Sequence, residues 1–222
     1  MRNGYASKLR ALLSPAEARL LGQLRTPDKI QSFLDHFPEK LRVGGETAVH
    51  SPHIVLKKGR AHCIEGAIVA AAALAYHGSE PLLMDIQSTD DDYDHVVALF
   101  KQNGLWGAIS KTNHPVLRWR DPVYRSVREL AMSYFNEYFL PDAGVRLGSK
   151  TMRAYSRPFN LKKYPPSAWW AAASLDWLAE ELDQSPHYPA LPPRQAQFLR
   201  RASRIELQSY RLREWPKRKK LK

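Results

Sequence analysis

The sequence predicts an α+β domain in which a buried, cysteine-bearing helix packs on a small antiparallel sheet, with helices flanking both. Three observations predict it. The stretch Gly66–Ala75 is alanine-rich, apolar nearly all round and of helical length. A short apolar run, Pro81–Ile86, follows it and reads as a strand. Then Asn103-Gly104, a favoured two-residue hairpin turn, joins the strand-like segments Asp94–Gln102 and Leu105–Lys111.

Around that centre, each element has its own signal. Residues 1–40 read as helical. Ser14-Pro15-Ala16-Glu17 has capping-box spacing with proline in the first turn, and Thr26-Pro27-Asp28 opens a second helix whose Ile30, Phe33, Leu34 and Phe37 share a face. Residues 42–53, with Gly44-Gly45 and Ser51-Pro52, read as a loop. The central helix is expected over 61–77, stopped by Gly78. After Pro122, the aromatic-rich stretch Val123–Phe139 reads as one helix, and 167–182 and 193–214 are further helices. The proline-rich connection Ser185–Pro193 sets the expected domain division: residues 1–184 as the domain and 185–222 as an appendage.

Composition narrows the function classes. The chain has 222 residues, 44% hydrophobic and 25% charged, as in ordinary globular proteins. Its longest apolar run, Ala67–Tyr76, is far too short to cross a bilayer. Met1-Arg-Asn-Gly-Tyr5 has no apolar core, so no signal peptide is expected and the expected compartment is the cytoplasm. The single cysteine excludes an internal disulfide framework and a thiolate-clustered zinc centre. The net charge of +12 invites a nucleic-acid reading, but the charge is uneven. The basic run Lys217-Arg-Lys-Lys-Leu-Lys222 closes the chain, while Asp85, Asp90, Asp91, Asp92 and Asp94 concentrate the opposite sign. A basic terminus is by default a solvated one.

Chemistry gathers at Cys63 and His95. Cys63 stands at the start of the alanine-rich helix, where unpaired N–H groups and the positive end of the helix dipole favour thiolate over thiol. His95 stands on the first strand of the hairpin. A two-residue turn pairs Val97 with Ser110, Leu99 with Ala108 and His95 with Thr112, so these six residues share one sheet face. The alanine-rich helix is the expected cover for that face, which would bring Cys63 beside His95. An imidazole there takes the thiol proton and later returns it to a leaving group.

Gly59-Arg-Ala-His-Cys63 with its following apolar helix, Asp94-His95-Val96, and Trp106-Gly-Ala-Ile-Ser110 together resemble transglutaminase-like domains of the papain-like cysteine protease superfamily. Arg60–Ala75, Asp94–Phe100 and Ser126–Phe139 resemble more narrowly a bacterial set of such proteins. The resemblance covers about residues 50–120 and implies a Cys-His pair with an orienting third residue. Where the family carries its triad aspartate, this chain has Ser110, which accepts a hydrogen bond but brings no charge. Asn113 is the other candidate orienter and would need the strand's end or a bulge to reach the His95 face. The family's oxyanion tryptophan has no counterpart just before Cys63, leaving the Cys63 N–H as one oxyanion donor.

Other groups carry plainer expectations. Asp90-Asp91-Asp92 reads as a solvated turn rather than a cation loop, and Glu65 as a helix cap. His62, His95 and His114 with Cys63 lack zinc-ligand spacing, and no cofactor is called for. Lys111, Arg153 and Arg157 read as solvated cations, and Trp169-Trp170 as packing. The expected function is cysteine-based acyl transfer on a peptide, amide or small acyl substrate, by hydrolysis or transamidation through a thioester. The alternatives are a transglutaminase-like binding module with a degraded site, or a basic nucleic-acid-associated protein.

Overall fold

A computed structural model describes residues 4–38, 48–142 and 144–212. Gly44-Gly45, the basic run at 217–222 and the last two residues of the helix expected at 193–214 lie outside the described residues.

The N-terminal region folds as three short helices, α1 (Gly4–Arg10), α2 (Pro15–Gln23) and α3 (Pro27–Asp35). The capping box at α2 forms in full, Glu17 reaching back to the Ser14 N–H at 2.8 Å. Helix α4 (Pro52–Lys58) begins where the sequence reading still expected loop, with Pro52 in its first turn and Gly59, at φ 64°, ending it. The central helix α5 (Cys63–Tyr76) is buried from Cys63 through Ala75. Its alanines let neighbours approach on every side: α1, α2, α3 and α4 pack on one flank and the sheet on the other.

The sheet holds β1 (Leu82–Gln87), β2 (His95–Gln102), β3 (Leu105–Ser110), β4 (Arg120–Tyr124), β5 (Ala154–Ser156), β6 (Phe159–Asn160) and β7 (His187–Pro189). Its order is β4-β3-β2-β1-β5-β7, with β6 also pairing β1, and every pairing is antiparallel. The molecule is therefore α+β. Asn103 and Gly104 both take positive φ, 51° and 83°, as the hairpin turn requires, and the ladder runs from Val97↔Ser110 to Gln102↔Leu105 in the expected register. The expected His95↔Thr112 pair is absent from this ladder because β3 ends at Ser110.

Four expectations need correction. Helix α5 covers Val96, Ala98, Phe100 and Ile109, the face opposite Val97 and Leu99. All of β2 from His95 to Phe100 is buried, so it has no polar face to tell which side the helix takes. The face of Val97, Leu99 and Ala108 is instead covered by residues following β4. The single helix expected over 123–139 is β4, then α6 (Val127–Met132), then a 3₁₀ turn at Phe135–Glu137. Pro122 sits in β4, an edge strand, where a missing N–H costs no ladder bond. Of the helix expected at 167–182, only α7 (Asp176–Asp183) forms, preceded by a 3₁₀ turn at Pro166–Ala168. Of that expected at 193–214, a 3₁₀ turn at Gln195–Phe198 and α8 (Arg204–Ser209) form.

Residues beyond 184 contribute directly to the sheet and its packing. β7 is hydrogen-bonded to β5, Ala190 is buried with Met152 and Tyr155, and the Tyr210 hydroxyl donates to the Glu137 carbonyl at 3.0 Å. At the other end of the sheet, Gly66 in the first turn of α5 lies against Lys111. A Cβ on Gly66 would fall 2.3 Å from the Lys111 Cβ, so only glycine fits.

Candidate active site

The site is built on the start of α5. Cys63 is its first residue, and its N–H precedes the helical ladder, whose first bond runs from Gly66 N–H to the His62 carbonyl at 2.9 Å. Glu65, almost fully buried, caps this turn. One carboxylate oxygen accepts from the His62 N–H at 2.8 Å, and the other accepts from the His50 N–H at 2.9 Å and lies 3.0 Å from His50 Nδ1. The Lys58 ammonium donates to His50 Nε2 at 3.1 Å, so His50 is the neutral Nδ1–H tautomer and donates to Glu65. A relay of three side chains thus fixes the turn that carries the thiol.

The hydrogen bond of Cys63 Sγ is with His62 Nδ1, at 3.3 Å; among the described residues none joins it to His95. His95 lies on the Val97 and Leu99 side of the sheet, away from α5, with its Nε2 2.7 Å from Ser110 Oγ. Ser110 spends its one hydroxyl proton on the Leu117 carbonyl, also at 2.7 Å. Toward His95 it must therefore accept, which places a proton on Nε2 and leaves Nδ1 as the basic nitrogen of the ring. Asn113 Oδ1, by contrast, accepts from the Lys111 ammonium at 3.2 Å.

Sequence reasoning missed Gln31. It extends from α3 to the edge of β3 beyond the last β4 pairing, accepting from the Ser110 N–H at 2.9 Å and donating to the Ser110 carbonyl at 2.8 Å. Its side-chain amide stands in for a strand at the residue that holds His95. Its glutamine type carries no such signal, since the partners stand 79 residues apart in the chain. Lys111 also departs from the expected solvated cation. It is 3% exposed, its stem pressed against Gly66.

A cavity of about 270 Å³ opens at this end of the sheet, lined by His62, Ser88, Thr89, Asp90, Asp92, Tyr93 and Asp94. The residues directly before Cys63 and His95 both form its wall. The acidic run divides into separate roles: Asp90 is exposed, Asp91 pairs with Arg146 at 2.5 Å, and Asp92 accepts from Thr151 Oγ1 at 2.6 Å. Burial pushes the Asp92 carboxyl up, and the Thr151 bond only partly offsets it. Asp94 accepts from Ser88 through N–H and hydroxyl, at 2.7 and 3.1 Å.

Asp85 on β1 pairs with His187 of β7 at 3.2 Å. Burial pushes Asp85 above the usual carboxylate range. Burial works against charge on His187 too, but its bonds to Asp85 and the Ser185 carbonyl outweigh that and raise it. Asp85, Asp94 and Asp183 bring carboxylate oxygens within 4.8 Å of one another, the arrangement among the described residues that suits a hard cation. Trp169 and Trp170 are both core, and Arg157 lies over the Tyr188 ring at 5.1 Å.

No protein-family model matches the chain, and no curated protein matches it. Solved structures of Legionella pneumophila LapG are similar in part. One is 16% identical, covering 50% of this chain and 73% of that one at a TM-score of 0.34. LapG treated with EGTA is 14% identical, covering 82% and 98% at a TM-score of 0.37. At such TM-scores the likeness carries no argument about chemistry.

Proposed function

We propose that the chain is a transglutaminase-like cysteine acyl-transfer enzyme of the papain superfamily, with Cys63 as nucleophile and His95 as the proton carrier. The observation that carries this reading is the His95–Ser110–Leu117 relay, which commits the imidazole to the tautomer a general base needs. The shared cavity wall of His62 and Asp94 supports it, since both reactive residues follow directly. Cys63 attacks an amide or ester carbonyl, and the thioester passes to water or an amine. His62 holds the thiol at rest, and His95 Nδ1 takes the proton when the sulfur turns to substrate. Catalytic hydrogen bonds commonly tighten only with substrate bound.

A second reading, a binding module with an idle thiol, is favoured by the uncharged Ser110 in the orienting position, which stabilises imidazolium poorly. Iodoacetamide separates the two, because the single cysteine makes labelling unambiguous. At pH 6.5 an ordinary thiol is about 1% thiolate. The enzyme reading expects the native protein to be alkylated at that pH faster than free cysteine, and His95→Ala to slow this at least about tenfold. Labelling that waits for urea unfolding, or that ignores His95→Ala, sinks it.

A further inference from the structure

The last described segment is fastened along residues 144–150 by three contacts. The Ala202 N–H donates to the Gly148 carbonyl at 2.8 Å, the Arg201 guanidinium donates to the Val145 carbonyl at 2.9 Å, and the Lys150 ammonium lies 4.0 Å from Glu206. Helix α8 follows, and N–H bonds from Arg211 and Leu212 to the Gln208 and Ser209 carbonyls carry its winding on through Leu212. One side of this helical turn meets the protein: Glu206 lies by Lys150, and the Tyr210 ring packs on Phe139 and His114. The other side is Arg204, Ile205, Gln208, Arg211 and Leu212, all exposed and at the spacing of one helical stripe. Ile205 is 72% exposed and Leu212 65%, while on the fastened segment Val145 is 88% exposed and Leu147 40%.

Single exposed aliphatics are ordinary, but four gathered where two segments join mark an interaction surface. Each stands next to an arginine in the chain: Val145 and Leu147 flank Arg146, Ile205 follows Arg204, and Leu212 follows Arg211. Glu206 is the one acidic residue in 144–150 and 198–212, and it is bonded to Arg200 at 2.8 Å. Asp91 adds a second carboxylate from outside these segments, paired with Arg146. Against these two stand Arg146, Lys150, Arg200, Arg201, Arg204 and Arg211, and the sequence runs on into Arg213–Lys222, where six of ten residues are Lys or Arg. We infer that this face docks on an anionic lipid surface. Its aliphatic side chains enter the boundary between headgroups and acyl chains, and its guanidinium groups meet lipid phosphates and carboxylates. Charge complementarity alone would also suit a nucleic acid. Nucleic acids, however, take phosphate contacts from cations and stack bases on aromatic rings, and give exposed isoleucine, leucine and valine no such partner. A lipid interface uses both halves of the face. No membrane-spanning segment is needed, and the inference is independent of the acyl-transfer reading.

The test is co-sedimentation of the full chain with vesicles of phosphatidylcholine, alone or mixed with phosphatidylserine. The mixed vesicles should bind at least about tenfold more tightly than the neutral ones, and added salt should weaken that binding. Ile205→Ser with Leu212→Ser should weaken it about tenfold, and Arg204→Gln with Arg211→Gln more than about tenfold. Both pairs change exposed side chains, so the urea midpoint should stay at its wild-type value. Mixed-vesicle binding that Ile205→Ser with Leu212→Ser leaves intact overturns the proposal, because charge alone would then account for it. Equal affinity for the two kinds of vesicle, or binding to neither, overturns it as well. So does tighter binding to a DNA duplex than to the mixed vesicles at the same salt, which would make this a nucleic-acid face.

Discussion

The two faces of the sheet are covered in opposite ways. On one, α5 presents small side chains from Ala67 to Ala75, and the large ones, among them Phe100, Phe159, Trp169 and Trp170, come from the elements packed around it. On the other, Leu130, Tyr134, Phe135 and Tyr138 come from a short helix and a 3₁₀ turn, and the layer carries hydroxyls, an imidazole and the Arg120 guanidinium. The difference teaches where chemistry is affordable in a small domain. An apolar layer surrounds the helix that begins at Cys63, and the His95 imidazole and the Arg120 guanidinium lie on the far side.

Changes to the aromatic layer should have the largest effect on stability. Tyr134 is fully buried, with Arg120 4.0 Å over its ring. Tyr134→Ala should cost about 4 kcal/mol, as large aromatic truncations do, read as a drop in the urea midpoint. A loss under about 1 kcal/mol would mean this layer is loosely packed and the contrast between the faces is wrong. Ser110→Ala comes next. It strands the Leu117 carbonyl and the His95 Nε2–H, both buried, and should cost about 1–3 kcal/mol. On the acyl-transfer reading it should also slow Cys63 alkylation by iodoacetamide several-fold by freeing the tautomer. Stability lost with reactivity unchanged would make Ser110 purely structural.

The smallest effect is pH-dependent. The His187 pKa is raised by Asp85, so its contribution is complete below the unfolded value of about 6.5 and fades as pH rises through the folded value. His187→Gln should therefore cost about 1 kcal/mol near pH 6 and less toward pH 9. The gap should narrow again on acidification, as Asp85, itself raised by burial, takes up its proton. Urea midpoints at several pH values measure it, and a gap that widens with pH contradicts the pairing.

Local signals were the legible ones. The Asn103-Gly104 turn determines the β2–β3 register, and with it the placement of Ser110 on the His95 face. The limits of α5 follow from Cys63, the alanines and Gly78 with little error. What stayed illegible depends on distant partners. Arg120–Tyr124 is a strand only because β3 offers an edge, and α5 chose its face from a strand buried on both sides. Gln31 and the Asp85–His187 pair matter through contacts 79 and 102 residues apart in the chain, which no spacing rule encodes. His62 was seen, but as a zinc candidate, since its approach to Cys63 depends on how the helix start turns.

The fit of Gly66 against Lys111 has a mechanical consequence. Gly66 is one turn beyond Cys63, and Lys111 is the next residue after the serine bonded to the His95 imidazole. A single van der Waals contact between backbone-rooted atoms thus acts as a gauge block between the start of α5 and the end of β3. Their separation is fixed by main-chain geometry, and no long side chain has to hold it by choosing a rotamer.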